Sequence, residues 1–233
     1  MKPEKHTTKK RKTEPLPADV NALIALYNSR HYAELENRAR ILAEQFPNFG
    51  FGWKLLGGAL QMQRKNALPA FRKVAELMPD DAEAHYNLGV ALKSAGRLDA
   101  AAASYRQAVM LKPDYAEALN NLGNVQKELG QFNDAAASYR RALALSPSHA
   151  ETHNNLGLAL KELGQLDAAL ASFGKAVELK PDYAEAHNNL GIVLKYRGQL
   201  DDALVCFRKA VELKPDHAEA LVLDLLGRAR RDE

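Results

Sequence analysis

Residues 147–180 have the sequence PSHAETHNNLGLALKELGQLDAALASFGKAVELK, and residues 181–214 have the sequence PDYAEAHNNLGIVLKYRGQLDDALVCFRKAVELK. The two segments align without a gap, and 23 of their 34 positions are identical. Prolines mark the same period at Pro79, Pro113, Pro147, Pro181 and Pro215. A fixed period of this length predicts a solenoid, in which each repeat packs only against its neighbours.

Each full repeat carries the signals of two helices joined by a glycine turn. We expect the first helix to end at a glycine in the left-handed conformation, namely Gly96, Gly130, Gly164 or Gly198. We expect capping boxes at Asp80/Glu83, Asp114/Glu117, Ser148/Glu151, Asp182/Glu185 and Asp216/Glu219. The second helix is expected to begin with an N-cap at Asp99, Asn133, Asp167 or Asp201.

A further glycine lies inside the first helix of each full repeat, at Gly89, Gly123, Gly157 and Gly191. Glycine in a helix interior costs about 1 kcal/mol relative to alanine. We therefore predict that these glycines allow the two helices of a repeat to approach closely. The aromatic side chains of Tyr105, Tyr139, Phe173 and Phe207 are expected to fill the space beside them.

These motifs resemble the tetratricopeptide repeat. One example is Trp53-x2-Leu56-Gly57-x2-Leu60, followed by Ala67-x3-Phe71 and Pro79; another is Leu156-Gly157-x2-Leu160, followed by Ala169-x3-Phe173, Ala176 and Pro181. The resemblance is strong over residues 50–217 and weaker over residues 18–49. It implies an all-α fold, a right-handed superhelical solenoid of helical hairpins with a C-terminal capping helix. The motif is specific for fold and only weakly specific for function.

The predicted organisation follows from these boundaries. It comprises a disordered basic tail (1–17), a divergent helical hairpin (18–49), five repeats (50–81, 82–115, 116–149, 150–183 and 184–217) and a capping helix (218–233). The repeat 50–81 is two residues short because its inter-helix turn is trimmed near Lys65 and Asn66.

The charge and composition of the chain indicate which kinds of partner it binds and where it is located. Residues 1–17 hold six Lys/Arg and two Glu, so the remaining residues carry 26 − 27 = −1 of the total +3. A repeat body of that charge makes nucleic acid an unlikely partner. The tail either contacts an anionic partner or only solubilises the chain. No apolar run approaches the roughly 18 residues of a membrane span, and the single Cys206 indicates a cytoplasmic protein.

One side of each first helix carries polar residues in rows, and we expect this side to be open. The candidate peptide-binding residues are Asn87, Asn120, Asn121, Asn124, Asn154, Asn155, Asn188, Asn189, Lys93, Lys127, Lys161 and Lys195. A carboxamide has two donors and an acceptor, so a row of them could hold the backbone of an extended peptide. The rows also resemble the asparagine-lined groove of O-linked N-acetylglucosamine transferases, which implies that Asn87, Asn121, Asn155 and Asn189 hold a peptide main chain. Alternatively, the asparagines bond to adjacent helices or face water.

No phosphate-binding loop, HExxH motif or nucleophile elbow is present in the sequence. We therefore predict a non-enzymatic scaffold, without cofactor or metal, that binds an extended peptide or protein segment in a concave groove. One alternative is the substrate-targeting arm of a larger glycosyltransferase-like enzyme. Another is a homo-oligomer that associates through its end helices, with Leu221, Val222, Leu225 and Leu226 as the apolar contacts.

Overall fold

The computed structural model describes residues 14–215, which form twelve α-helices and no β-strand. The helices are α1 Pro17–Asn28, α2 Tyr32–Gln45, α3 Gly50–Met62, α4 Leu68–Leu77, α5 Ala82–Ser94, α6 Leu98–Leu111, α7 Ala116–Glu128, α8 Phe132–Leu145, α9 Ala150–Glu162, α10 Leu166–Leu179, α11 Ala184–Tyr196 and α12 Leu200–Leu213. The predicted all-α helical repeat fold is confirmed. Within this part of the chain, no helix has the length and apolarity that crossing a bilayer requires.

The chain divides into two compact units between Arg97 and Leu98, so α1–α5 belong to the first unit and α6–α12 to the second. In each unit, helices that are consecutive in sequence pack against each other. First helices of neighbouring hairpins also touch, α1 with α3 in the first unit, and α7 with α9 and α9 with α11 in the second. The predicted repeat 82–115 therefore contributes one helix to each unit.

The predicted ends of the chain are only partly within the described residues. The basic residues of the tail and the capping helix from Ala218 onward lie outside them. Pro17, which we expected to belong to the tail, is instead the first residue of α1. Proline suits this position because the first helical residues need no backbone donor and its fixed φ matches the helix.

The turns between paired helices confirm the predicted glycine positions. Gly96, Gly130, Gly164 and Gly198 have φ between +71° and +76°. Beyond each turn a backbone N–H returns to a carbonyl of the preceding helix, as from Gln131 to Gln126 at 2.8 Å. The first two hairpins, α1–α2 and α3–α4, make the same turn without glycine, since Arg30 and Arg64 adopt φ of +61° and +58°. Left-handed backbone costs a non-glycine residue roughly 1–2 kcal/mol.

The predicted caps are wrong at every described helix start, and the predicted capping box Asp216/Glu219 lies outside the described residues. The first helices begin one residue later than the capping boxes require, so their N-caps are Asp81, Tyr115, His149 and Tyr183. Asp80, Asp114, Ser148 and Asp182 lie one residue outside the caps. The second helices begin earlier, at an apolar residue, which places Asp99, Asn133, Asp167 and Asp201 at the second helical position. An acidic residue there still favours the helix through the dipole at its N-terminus.

The glycines inside the first helices allow an aromatic ring to lie directly on the backbone. A Cβ at Gly157 would lie 2.6 Å from Phe173 Cε1, and one at Gly123 would lie 2.6 Å from Tyr139 Cε1. The same arrangement joins Gly57 to Phe71 and Gly191 to Phe207. All four rings are buried. The close approach that the sequence predicts is therefore made by the ring over the glycine, which fixes how the two helices of each hairpin pack.

Candidate functional site

The predicted binding residues lie on the first helices of both units. They are Asn87 and Lys93 on α5; Asn120, Asn121, Asn124 and Lys127 on α7; Asn154, Asn155 and Lys161 on α9; and Asn188, Asn189 and Lys195 on α11. The residues on α7, α9 and α11 belong to the second unit, where neighbouring first helices touch. Several of them bond directly to one another across these helices.

Asn124 and Asn155 join α7 to α9. Asn155 Nδ2 donates to Asn124 Oδ1 at 3.1 Å, and the Tyr139 hydroxyl donates to the same oxygen at 2.8 Å. Lys127 Nζ donates to Asn155 Oδ1 at 3.0 Å. Burial of the hydroxyl, with a smaller effect from the charge of Glu128, raises the pKa of Tyr139. These side chains form one polar cluster in which both carboxamides stay half-buried.

Thr152 makes a second link between the same two helices. Its buried hydroxyl donates to Asn120 Oδ1 at 2.8 Å. Its backbone N–H donates to His149 Nδ1 at 3.2 Å, so His149 caps α9. Asn120 therefore bonds to the start of the next first helix, which is one of the two arrangements that the sequence left open.

Asn154 and Asn189 join α9 to α11, and the prediction that they lie on an open side is wrong. Only 1% of Asn154 and 8% of Asn189 is exposed. Asn189 Nδ2 donates to Asn154 Oδ1 at 3.0 Å. Placing residues around one isolated helix missed this burial, because the neighbouring first helix covers these positions.

Tyr183 and Glu185 complete the contact around Asn154. Asn154 Nδ2 lies 3.5 Å from Glu185 Oε1. Burial, followed by the charges of Glu185 and Glu151, raises the pKa of Tyr183 to about 12, and a hydrogen bond with Asn154 opposes that shift. The Tyr183 hydroxyl therefore stays neutral and available for hydrogen bonding at physiological pH.

The remaining candidates of the second unit differ in their surroundings. Asn188 Oδ1 is buried and has no hydrogen-bond partner within the described residues. Asn121 on α7 is half-buried and makes polar contact with its surroundings. Lys161 Nζ pairs with Glu162 Oε1 at 3.1 Å, a surface contact of small energetic value. Lys195 is half-buried on α11, at the position equivalent to Lys161.

The first unit presents a cavity of about 390 Å³ on its first helices, and we name it the inner-face cavity. Its lining includes Ile24 and Tyr27 from α1, Phe51, Lys54, Leu55, Gly58 and Gln61 from α3, and Glu83 and Asn87 from α5. Each of these residues occupies a repeat position that we expected to be on the open side. Leu55, for example, stands where Asn87 stands in the next repeat. Of this set, the sequence identified only Asn87 as a candidate.

The other lining residues could have been found from their position within the repeat rather than from their residue type. Asparagine rows drew attention to the full repeats, whereas the cavity-lining residues of α1 and α3 are not asparagines. A helical hairpin keeps its orientation toward its neighbours even when its residue types change. Transferring the repeat positions onto residues 18–81 would have identified the α1 and α3 residues of the lining.

Lys54 sets the charge at one edge of the inner-face cavity. Its Nζ donates to Glu83 Oε2 at 2.7 Å and to Asp81 Oδ2 at 3.2 Å, which ties α3 to the start of α5. Burial alone would lower the pKa of Lys54, but the hydrogen bonds to Glu83 and Asp81 raise it above its ordinary value. The cavity thus has an apolar wall and one edge where a cation and two carboxylates meet.

The histidines and the cysteine have structural surroundings. His85, His153 and His187 each place Nε2 within 2.8–2.9 Å of the carbonyl oxygen of the proline six residues earlier. Half-burial, together with the charge of Asp202, raises the pKa of the Cys206 thiol. Within residues 14–215, no cluster of three or more His, Cys, Asp or Glu side chains could hold a metal ion.

Comparison with protein families decides the classification. The family model described as "TPR repeat" matches residues 91–130, 127–164 and 158–195, and the model described as "Tetratricopeptide repeat" matches residues 184–217. Together the matches span residues 91–217, more than half of the 233-residue chain. The chain belongs to the tetratricopeptide repeat (TPR) family. The predicted resemblance to this family is confirmed, and no curated protein matches the chain significantly.

Solved structures of other TPR-like chains are similar to this TPR protein. A crystal structure of MamA is 26% identical to this chain, and the alignment covers 70% of this chain and 97% of the MamA chain, with a TM-score of 0.66. MamA from Desulfovibrio magneticus RS-1 is 24% identical, with coverages of 72% and 96% and a TM-score of 0.68. YrrB, described as "a TPR protein with an unusual peptide-binding site", is 24% identical, with coverages of 83% and 97% and a TM-score of 0.69. At 24% identity, the last two similarities bear on the fold alone.

Proposed function

We propose that this TPR protein is a non-enzymatic scaffold that binds an extended segment of a partner protein on the first helices of its first unit, α1, α3 and α5. The observation that carries the proposal is the inner-face cavity. Equivalent positions of three successive hairpins converge on one space of about 390 Å³. Concave sites of this size with apolar walls and a few polar groups are typical of ligand binding.

The polar groups at the edge of the cavity fit a peptide main chain. Asn87 has two N–H donors and an acceptor oxygen at the α5 edge. Phe51, Leu55 and Ile24 provide an apolar wall for a side chain of the segment. An apolar anchor with main-chain hydrogen bonds beside it supports micromolar affinity, roughly −8 kcal/mol.

In the second unit, the proposal gives the asparagines a different role from the one that the sequence suggested. Asn154 and Asn189 hold neighbouring helices together. Asn155 keeps one N–H and one lone pair beyond its bonds to Asn124 and Lys127, because a carboxamide has two of each. A ligand of the second unit could therefore form hydrogen bonds with Asn155 without breaking the cluster.

The test uses peptides selected from a phage-displayed random dodecapeptide library on the intact chain. Selected peptides are then titrated by fluorescence anisotropy. Gly58→Leu fills the cavity from α3 and is expected to weaken binding at least about tenfold, the effect of roughly 1.4 kcal/mol. The control is Gly174→Leu, because Gly174 is a helix glycine with no atom within 4 Å of a built Cβ.

Two results would refute the proposal. One is failure to select any binding peptide. The other is equal affinity of the selected peptides for the wild type and Gly58→Leu, with helicity intact. Replacing Asn121, Asn155 and Asn189 by alanine tests the original asparagine hypothesis in the same assay. Under the present proposal this triple change reduces stability through Asn189 more than it reduces peptide affinity.

The other hypotheses stay predictions. The comparisons lend no support to the resemblance to O-linked N-acetylglucosamine transferases, so the targeting-arm alternative depends on the sequence motif alone. Association through the end helices involves residues 218–233, which lie outside the described residues. A cytoplasmic location also stays a prediction.

A further inference from the structure

The hairpin α3–α4 differs from the later hairpins in the first turn of its second helix. Arg64-Lys65 aligns with Gly130-Gln131, and Ala67 with Ala135, so the counterparts of Phe132 and Asn133 are missing. As a result α4 has ten residues, whereas α8 has fourteen. The later second helices begin with an apolar residue, and Leu166, for example, packs against a core cluster of its unit. The first residue of α4 is Leu68, which aligns with Ala136, so α4 has no counterpart of Leu166.

A cavity of about 520 Å³ lies at the shortened end of α4, and we name it the short-helix cavity. Ala67, Leu68 and Phe71 of the α4 hairpin form one side of it. Val90, Ala91 and Ser94 of α5 form the other. The absent turn accounts for the cavity, because the residues around the start of α4 line it. Gln61 and Phe71 line the inner-face cavity as well, so the two cavities adjoin.

The rim of the short-helix cavity is positively charged. Arg64 and Lys65 both line it, and none of its described lining residues is acidic. Lys65 Nζ is bound to Glu36 Oε2 at 2.6 Å, which offsets its charge. Arg64 is exposed and its guanidinium has no hydrogen-bond or ion-pair partner within the described residues. The backbone of Arg64 also has φ of +58°, a conformation that the later repeats assign to glycine.

We propose that the short-helix cavity binds the part of a partner segment that carries an apolar side chain next to a carboxylate. This inference rests on the proposed function and names the class of partner. The apolar side chain occupies the space of the missing turn, and the carboxylate pairs with Arg64. Arginine is suited to this role because its planar guanidinium can donate two parallel hydrogen bonds to a carboxylate. The same segment continues past Gln61 into the inner-face cavity.

The experiment uses the intact chain and the same dodecapeptide library. Peptides that bind the wild type are expected to share an Asp or Glu adjacent to an apolar residue. A selected peptide is then synthesised with that acid replaced by its amide, and both forms are titrated against the wild type and Arg64→Gly. Each single change is expected to weaken binding about tenfold, and the two together no more than either alone. Arg64→Lys is expected to retain part of the affinity.

Arg64→Gly is informative because it removes the charge and also relieves the left-handed backbone, so we expect it to stay folded, which urea unfolding checks. A second variant, Ser94→Tyr, fills the cavity from an exposed position of α5. Its tolerance is indicated by Tyr196, an exposed residue at the equivalent position of α11. We expect Ser94→Tyr to weaken binding of the same peptides about tenfold.

The outcomes separate the two proposals. If the selected peptides are sensitive to Gly58→Leu but bind Arg64→Gly and Ser94→Tyr as they bind the wild type, the present inference is wrong and the proposed function stands. The same conclusion follows if the selected peptides share no acidic residue, or if the effects of Arg64→Gly and the peptide amide simply add. If no peptide binds, or none is sensitive to Gly58→Leu, both proposals are wrong.

Discussion

Replacing Asn154 by alanine tests the hydrogen bonds between neighbouring repeats. Asn154 is 1% exposed and accepts a hydrogen bond from Asn189 Nδ2, while Asn189 itself is 8% exposed. The matched control is Asn188→Ala, because Asn188 lies at the equivalent position one repeat later and its Oδ1 has no partner within the described residues. The two variants remove the same atoms from the same helix position.

The expected magnitudes follow from these surroundings. Asn154→Ala loses one neutral hydrogen bond of about 1 kcal/mol and leaves a buried Asn189 donor unsatisfied, at a cost of about 1–3 kcal/mol. We expect a total destabilisation of about 2–4 kcal/mol. Asn188→Ala removes an oxygen that is already unsatisfied, so we expect its effect to be below about 1 kcal/mol. Asn154→Ala combined with Asn189→Ala should cost less than the sum of the two single changes.

The measurement is urea unfolding of the intact chain, followed by far-ultraviolet circular dichroism. Native-state hydrogen exchange then locates the effect, which we expect in α9 and α11 because each repeat contacts only its neighbours. Equal stabilities for Asn154→Ala and Asn188→Ala would refute the reasoning. So would strictly additive effects of the Asn154 and Asn189 changes, because additivity means that the two side chains do not interact.

Three further predictions concern stability. Gly157→Ala should destabilise the chain by about 1–3 kcal/mol, since its Cβ would meet Phe173 Cε1 at 2.6 Å. Gly174→Ala should instead stabilise the chain by about 1 kcal/mol, because a Cβ at Gly174 meets no atom within 4 Å. Both are measured by urea unfolding, and equal effects would contradict the packing argument. Arg64→Gly should raise the free energy of unfolding by about 0.5–1 kcal/mol by relieving left-handed backbone at φ +58°, and a loss of stability would show that the Arg64 side chain stabilises the fold. The hydrogen bond from Lys65 lowers the pKa of Glu36. The ionised Glu36 therefore stabilises the fold above its unfolded pKa, and this stability is lost as the pH falls through the lowered folded pKa. Glu36→Gln should show a smaller loss of stability between neutral and acid pH than the wild type, and an unchanged pH profile would contradict this assignment.

The period of the sequence predicted the fold because proline and glycine act locally. Gly130 can end a helix in left-handed conformation whatever surrounds it, and its φ of +73° confirms this. The helix starts were harder to predict, because Asp114 and Asp99 suit caps chemically, yet α7 begins two residues after Asp114 and α6 begins one residue before Asp99. The sequence did not predict that Arg64 takes the place of a glycine. The local preference of arginine opposes a left-handed backbone, and only the tertiary structure imposes that conformation.

The candidate site was predictable only where it depends on one helix. Sequence periodicity placed Asn87 and Asn155 on the first helices and gave their approximate direction. The burial of Asn154 depends on how closely α9 and α11 pack, which no single-helix argument contains. The inner-face cavity depends on α1 and α3, whose residues do not share the asparagine motif. The short-helix cavity follows from a two-residue deletion whose effect on α4 appears only in three dimensions.

The hydrogen bonds between asparagine side chains in the second unit have a mechanical consequence. Each one joins a first helix only to the next, through pairs such as Asn124–Asn155 and Asn154–Asn189. When this unit is pulled from its two ends, these bonds lie in series, so each bears the whole force and none shares it with another. The unit is therefore expected to extend in steps, and each 34-residue repeat that unravels contributes up to about 120 Å of extended chain. Such a unit is expected to yield to a stretching force repeat by repeat rather than in a single event.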